Sequence, residues 1–390
     1  MKIKLIFLIG LILFTLSIGV GCSPSPHPGL NKVLNTATKS YRFNILNWEV
    51  TSIIGKIKQS FQYRNVSVND TGIVVDYFNG ALQATLSPSE ANKSRIKVEN
   101  IIERQIRDVL SQNGIINPFG SIFGLSFPPL LFELTAPPHL LVISPRDQIS
   151  RIKDILLLPD LSTDQMNTVE IQAEKSGDSA LVVELGGLGA TFPTFVNSNS
   201  SLHDVLNAAA EEWLHQYLAF KPLGFRYVLD LLGIARNEDI ITMNESTAGI
   251  IGSEIGDQVY NKYYASYFPE SNASSAGESP APSFDFNAAM RQIRQNVDAY
   301  LADGQIDRAE QYMNEQRDYL QTQGYYIRKL NQAYFAFYGT YADTPAYTNP
   351  IGAAIQNIRD KSNSLNDFLK SLANVTSVKG LDRLENKLSK

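Results

Sequence analysis

One cysteine, four histidines and no long basic tract set the first limits on this chain of 390 residues. A single cysteine excludes a disulfide framework and any cysteine-built zinc or iron–sulfur centre. With four histidines, any metal site has to lean on carboxylates. Lys and Arg total 34 against 39 Asp and Glu, a net charge of −5. Neutralising a phosphate backbone takes clustered cations, so nucleic acid is excluded as the main partner. No Gly-x-Ser-x-Gly elbow supports a serine nucleophile. Gly186-Gly187-Leu188-Gly189 lacks the later glycine or lysine that a phosphate cradle needs. What is present is a composition 44% hydrophobic and 10% aromatic, enough to bury a core. At roughly 100–200 residues per domain, the length predicts two or three domains.

Lys2 and Lys4 precede an uncharged apolar run from Leu5 to Gly21, the pattern of an export signal. The only cysteine, Cys22, stands where this run stops. A small residue before a cysteine at that place resembles the lipobox of bacterial lipoproteins, in which the thiol is lipidated and becomes the mature N-terminus. Gly19 stands where that pattern usually has leucine. An uncleaved signal anchor and a plain cleaved signal are the alternatives. Residues 1–21 are therefore read as signal peptide and 22–40 as a lipidated tether. The resemblance implies a chain held by its lipid on the extracytoplasmic face of the cell membrane.

The body reads as α+β and helix-rich. Leu46, Val50, Ile53, Ile54, Ile57 and Phe61 recur at helical spacing, as do Val74 to Leu86 and Val98 to Leu110. Leu130 to Leu134, Leu140 to Ser144 and Ala180 to Leu185 read as short strands, with a helix expected near Asp147–Leu158. Thr191 to Val196 carries Pro193, which confines it to a strand edge or an extended loop. Residues 41–160 form an N-terminal helical region with short strands, and 161–268 a central core. Residues 269–283, rich in Pro, Ser and Ala, cannot bury a core and form a flexible linker. Residues 284–390 form a C-terminal helical region. Its aromatic stretch from Gly324 to Tyr341 is expected to pack over the cleft, with Tyr338 lining the substrate pocket.

Chemistry concentrates between residues 201 and 257. Ala208-Ala209-Ala210-Glu211-Glu212-Trp213-Leu214-His215-Gln216 is strongly helix-forming, with Ser200 or Ser201 available as N-cap. Glu211 and His215 are four apart and share a face, and Glu212 lies beside them. Two potential ligands at that spacing next to a carboxylate match the layout of the zinc hydrolase helix H-E-x-x-H, with Glu211 in the first ligand position. Further on, Glu245, Gly249, Gly252 and Gly256 lie along one helix face. Small residues there let another helix approach closely, bringing Glu245 alongside His215. A di-iron carboxylate bundle would need a second Glu-x-x-His, which the chain lacks. His27 belongs to the tether, His139 is expected at a surface or cap, and His203 at the first turn of the motif helix.

His215-Gln216 and Asn244-Glu245-Ser246 together resemble the gluzincin class of zinc metallopeptidases, and more closely the predicted aminopeptidases among bacterial lipoproteins. The resemblance spans roughly residues 180–260. It implies a zincin-like core, with Glu212 as general base, His215 and Glu245 as metal ligands, and Glu211 filling the missing first ligand position. It also implies that the segment from Gly186 to Pro193, with Gly187 and Ala190, is a sheet edge pairing with extended peptide substrate. Zinc accepts carboxylate oxygen, so a two-Glu, one-His site is coordinatively sound. The extra negative charge shifts preference toward harder metals such as manganese. Metal-dependent peptide hydrolysis is the expected activity; a catalytically inactive peptide-binding or envelope scaffold is the alternative. For a transition-state electrophile the candidates are Arg328, Tyr338, Tyr341, Tyr260, Tyr263 and Tyr264.

Overall fold

A computed structural model describes residues 29–62, 67–80, 86–119, 127–188, 191–231, 234–235, 237–267, 284–339 and 350–389. The signal segment, Cys22, Ala190, the linker 269–283 and Tyr341 lie outside the described residues. Among the described residues the fold is α+β and helix-rich, with 63% helix. No described helix is long and apolar enough to cross a membrane.

Four helices lead in: α1 (Leu30–Thr38), α2 (Ile45–Gln62), α3 (Thr71–Phe78) and α4 (Pro88–Gln112). α1 falls inside the segment read as tether. Leu30 and Leu34 are buried against the central strands, so ordered structure begins before residue 40. α4 starts on a capping box in which Ser87 and Glu90 satisfy each other's backbone amides, with Pro88 in the first turn. The expected stripe from Leu46 to Phe61 lies on α2, with Val50 exposed, and that from Val98 to Leu110 on α4. α3 ends at Phe78, short of the expected run to Leu86: Ala81 and Leu82 lie outside the described residues, and Leu86 sits in the bend before α4.

The strands form two three-stranded sheets. In one, β3 (Lys153–Leu157), β2 (His139–Ser144) and β4 (Ser179–Val183) lie antiparallel in that order. The helix expected near Asp147–Leu158 is therefore β3. Pairing of Ile155 with Leu141 and of Leu157 with His139 overrides the local helical spacing. α1 and α5 (Thr163–Ala173) cover one face of this sheet, burying Leu141, Ile143 and Val182. α11 (Gln332–Tyr338) covers the other, over Leu140, Val142 and Val183. Covered on both faces, β2 is buried along its whole length. His139 is buried with it, its Nδ1 2.9 Å from the Leu158 carbonyl, not on the surface as expected.

In the second sheet β6 (Thr194–Val196) lies between β1 (Phe132–Leu134), parallel to it, and β5 (Gly187–Leu188), antiparallel. Pro193 directly precedes β6, so the central strand loses no ladder hydrogen bond. The outer edge of β1 is closed by side chains of α4. Glu103 accepts from the Phe132 amide at 3.2 Å and Glu99 from the Leu134 amide at 2.8 Å. Lys56 from α2 sits between these carboxylates, 2.6 Å from Glu99 and 3.5 Å from Glu103. The outer edge of β4 is closed likewise: Glu170 accepts from the Val182 amide and Arg328 donates to its carbonyl. β5 is the remaining edge of the second sheet.

The largest core surrounds two long helices, α6 (Leu202–Leu218) and α8 (Glu238–Tyr263), joined through α7 (Pro222–Leu231). α6 is capped by Ser201, whose hydroxyl accepts from the Asp204 amide at 3.2 Å. α8 is capped by Asn237, accepting from the Ile240 amide at 3.1 Å. The helices run antiparallel: Asn207 faces Gly256, Glu211 faces Gly252 and His215 faces Glu245. A Cβ on Gly252 would lie 2.8 Å from the Glu211 Cα and 2.9 Å from its amide nitrogen. The glycine face thus sets a near backbone-to-backbone approach. Gly252→Ala should destabilise the fold by about 1–3 kcal/mol through overpacking, read as a lowered denaturant midpoint. An unchanged midpoint would rule out this close approach.

The remaining helices are α9 (Phe286–Ala302), α10 (Ile306–Thr322), α12 (Pro350–Lys361), α13 (Leu365–Leu372) and α14 (Val378–Leu388). α9 and α10 form a hairpin around Met290, Ile293, Val297 and Met313. The last three helices join the core around α8.

Candidate metal centre

Glu211, His215 and Glu245 each offer a ligand atom, and these atoms lie within 4.8 Å of one another, so the cluster can hold a metal ion. His215 Nε2 and Glu245 Oε2 are 3.4 Å apart. Two ligands at zinc's tetrahedral angle, with bonds near 2.0–2.1 Å, are separated by about 3.4 Å, so this pair already stands at ligand spacing. Glu211 comes from the same face of α6, its Oε1 above Gly249, where a Cβ would lie 3.7 Å away.

His215 and Glu245 each have a supporting partner. The Asn244 amide nitrogen lies 2.7 Å from His215 Nδ1, and the Asn244 oxygen, fully buried, has no hydrogen-bond partner. Half a turn of this amide makes that oxygen accept from Nδ1–H, leaving the Nε2 lone pair for an ion. The orphaned atom thus fits a liganding imidazole. Tyr227 of α7 donates from its hydroxyl to Glu245 Oε1 at 2.6 Å, and its ring stacks on His215 with centroids 5.8 Å apart.

Electrostatics agree with this arrangement. Burial alone would lower the pKa of His215, but the carboxylates of Glu245, Glu212 and Glu211 outweigh it and push it up to about 9. Burial opposes ionisation of Glu245, yet His215 and the Tyr227 hydroxyl hold its carboxyl below the usual range. With no ion present His215 is a cation at neutral pH, and an ion must displace its proton. Metal affinity should therefore rise with pH to about 9 and then level, with protons released on binding. Calorimetry at pH 7 in buffers of different ionisation enthalpy reads that release; a buffer-independent heat would contradict it.

Glu212 points toward the sheet. A Cβ on Gly187 would lie 2.9 Å from the Glu212 carboxyl carbon, so β5 passes directly over the general-base candidate. α6 is also tied to the segment leading into β6, since Gln216 donates to the Thr191 carbonyl at 2.9 Å. Trp213 on the buried face donates to the Pro128 carbonyl.

The other candidate residues make the following contacts. Tyr338 packs with its ring tilted against Tyr334 over the first sheet, with Glu184 as an electrostatic neighbour. Arg328 pairs with Glu170 at the β4 edge. The Tyr263 hydroxyl donates to Asp108 and that of Tyr264 to Gln105, while Tyr260 packs edge-on to His203. His203 pins the first turn of α6 to α8 through Asp257, 2.7 Å away. Sequence reasoning missed Tyr227; the available signal was an aromatic on the short helix following His215.

No protein-family model, curated protein or solved structure matches this chain.

Proposed function

We propose that this chain is a metal-dependent peptidase with a zincin-like core of gluzincin type, held outside the cell membrane by lipid on Cys22. The convergence of Glu211, His215 and Glu245 from two helices, with Glu212 beside them under a strand edge, is the observation that carries the reading. One imidazole and two carboxylates suit zinc, with manganese as the harder alternative. A divalent ion bound there supplies Lewis acidity toward the scissile carbonyl and lowers the pKa of a water. Glu212 accepts the water proton and returns it to the departing amine. Gly187 leaves room for the Glu212 carboxylate, and β5, the remaining edge of its sheet, offers backbone groups to an extended peptide. Ala190 continues that segment in sequence.

Elemental analysis of the purified chain, expressed from Ser23 onward, tests the centre. Stoichiometric zinc or manganese is expected. No bound metal after supplementation would leave a peptide-binding scaffold as the reading. For the anchor, Cys22→Ala should abolish palmitate labelling; unchanged labelling would remove the lipoprotein assignment.

A further inference from the structure

The hydroxyl of Tyr227 takes up one of the two oxygens of Glu245. It donates to Oε1 at 2.6 Å, while Oε2 faces His215 Nε2 at 3.4 Å. Glu245 is buried in the body of α8, so its carboxylate has little freedom to exchange the two atoms. The same tyrosine stacks its ring on His215 with an interplanar angle of 24°. One side chain therefore touches both ligands that face each other across the helix pair. Its own placement is firm: α7 begins just after α6 ends, Leu223 is buried, and the Leu223 amide donates to the Ala373 carbonyl at 3.0 Å.

From this geometry we infer that Tyr227 is a positioning residue that restricts Glu245 to one coordinating oxygen and thereby biases the centre toward zinc over manganese. The inference rests on the metal-site reading above. A carboxylate tied through one oxygen counts as a single ligand, which suits the four-coordinate preference of zinc. The same carboxylate free to chelate through both oxygens suits the higher coordination of manganese. Partners that orient metal ligands in this way are typically worth about 10–100-fold in affinity.

The test compares the parent chain with Tyr227→Phe, using zinc and manganese alone as probes. Zinc affinity should fall about 10–100-fold in the variant, manganese affinity should fall less, and the zinc-to-manganese ratio should narrow. The unfolding temperature of the metal-free variant should stay near that of the parent, separating positioning from loss of fold. Equal affinities for both metals in the two proteins would overturn the role of Tyr227 while leaving the centre intact. A parent that binds neither metal overturns the centre itself, and with it this inference. Should Tyr227→Phe fail to fold, the visible spectrum of the cobalt-loaded parent decides. Intense bands of a low-coordinate ion are expected, and weak octahedral bands would overturn the single-oxygen role.

Discussion

Glu212→Gln is expected to keep the full metal content and to lower peptide turnover by about 10²–10⁴-fold, the usual share of a positioned general base. Glutamine preserves the shape that fits beneath Gly187 but has no basic oxygen to take a proton. His215→Ala should instead lose metal and turnover together, because it removes the one imidazole of the cluster. Glu211→His should raise zinc affinity, since it supplies a second nitrogen ligand at the same helix position. Metal content and steady-state rates of the three variants check this. If Glu211→His binds no metal in excess zinc, the cluster is not a metal site.

Lys56→Met is expected to cost about 3–5 kcal/mol of stability, the usual consequence of stranding a buried charge. Lys56 is 2.6 Å from Glu99 and 3.5 Å from Glu103, and both carboxylates are buried while capping amides of β1. Burial already pushes the Glu103 carboxyl above the usual range, although Lys56 pulls it down. Without Lys56 it rises further. A carboxyl whose folded pKa exceeds its unfolded value binds more protons in the folded state, so it favours folding increasingly as pH falls. The deficit should therefore be largest at neutral pH and shrink toward pH 5. Denaturant midpoints at several pH values check this, and a pH-independent deficit would place the loss in packing.

The motif helix was readable because its signals are local. Ser201, the alanine run and the four-residue step from Glu211 to His215 all act within a few turns. The glycine face of α8 was readable too, because omitted side chains at helical spacing mark a close neighbour. β3 was misread because the spacing of Ile149 to Leu158 satisfies a helix locally, and only pairing with β2 decides for a strand. Glu99 and Glu103 look like the polar side of an amphipathic helix, yet both are buried against the edge of β1. His139 likewise has a polar side chain that the sheet buries and satisfies with a carbonyl.

By itself, then, the sequence determined which helices carry Glu211, Glu212, His215 and Glu245, because helical periodicity and side-chain volume act at short range. The tertiary structure alone decided that Tyr227 backs Glu245, that Asn244 meets His215, and that Gly187 lies over Glu212. It also decided which strand edges are closed by carboxylates and which remains. Those relations join residues well separated along the chain, from 12 positions for Glu170 and Val182 to 35 for Leu134 and Glu99. Periodicity is silent at such separations; packing of α7 against the helix pair, and of α4 against β1, sets them.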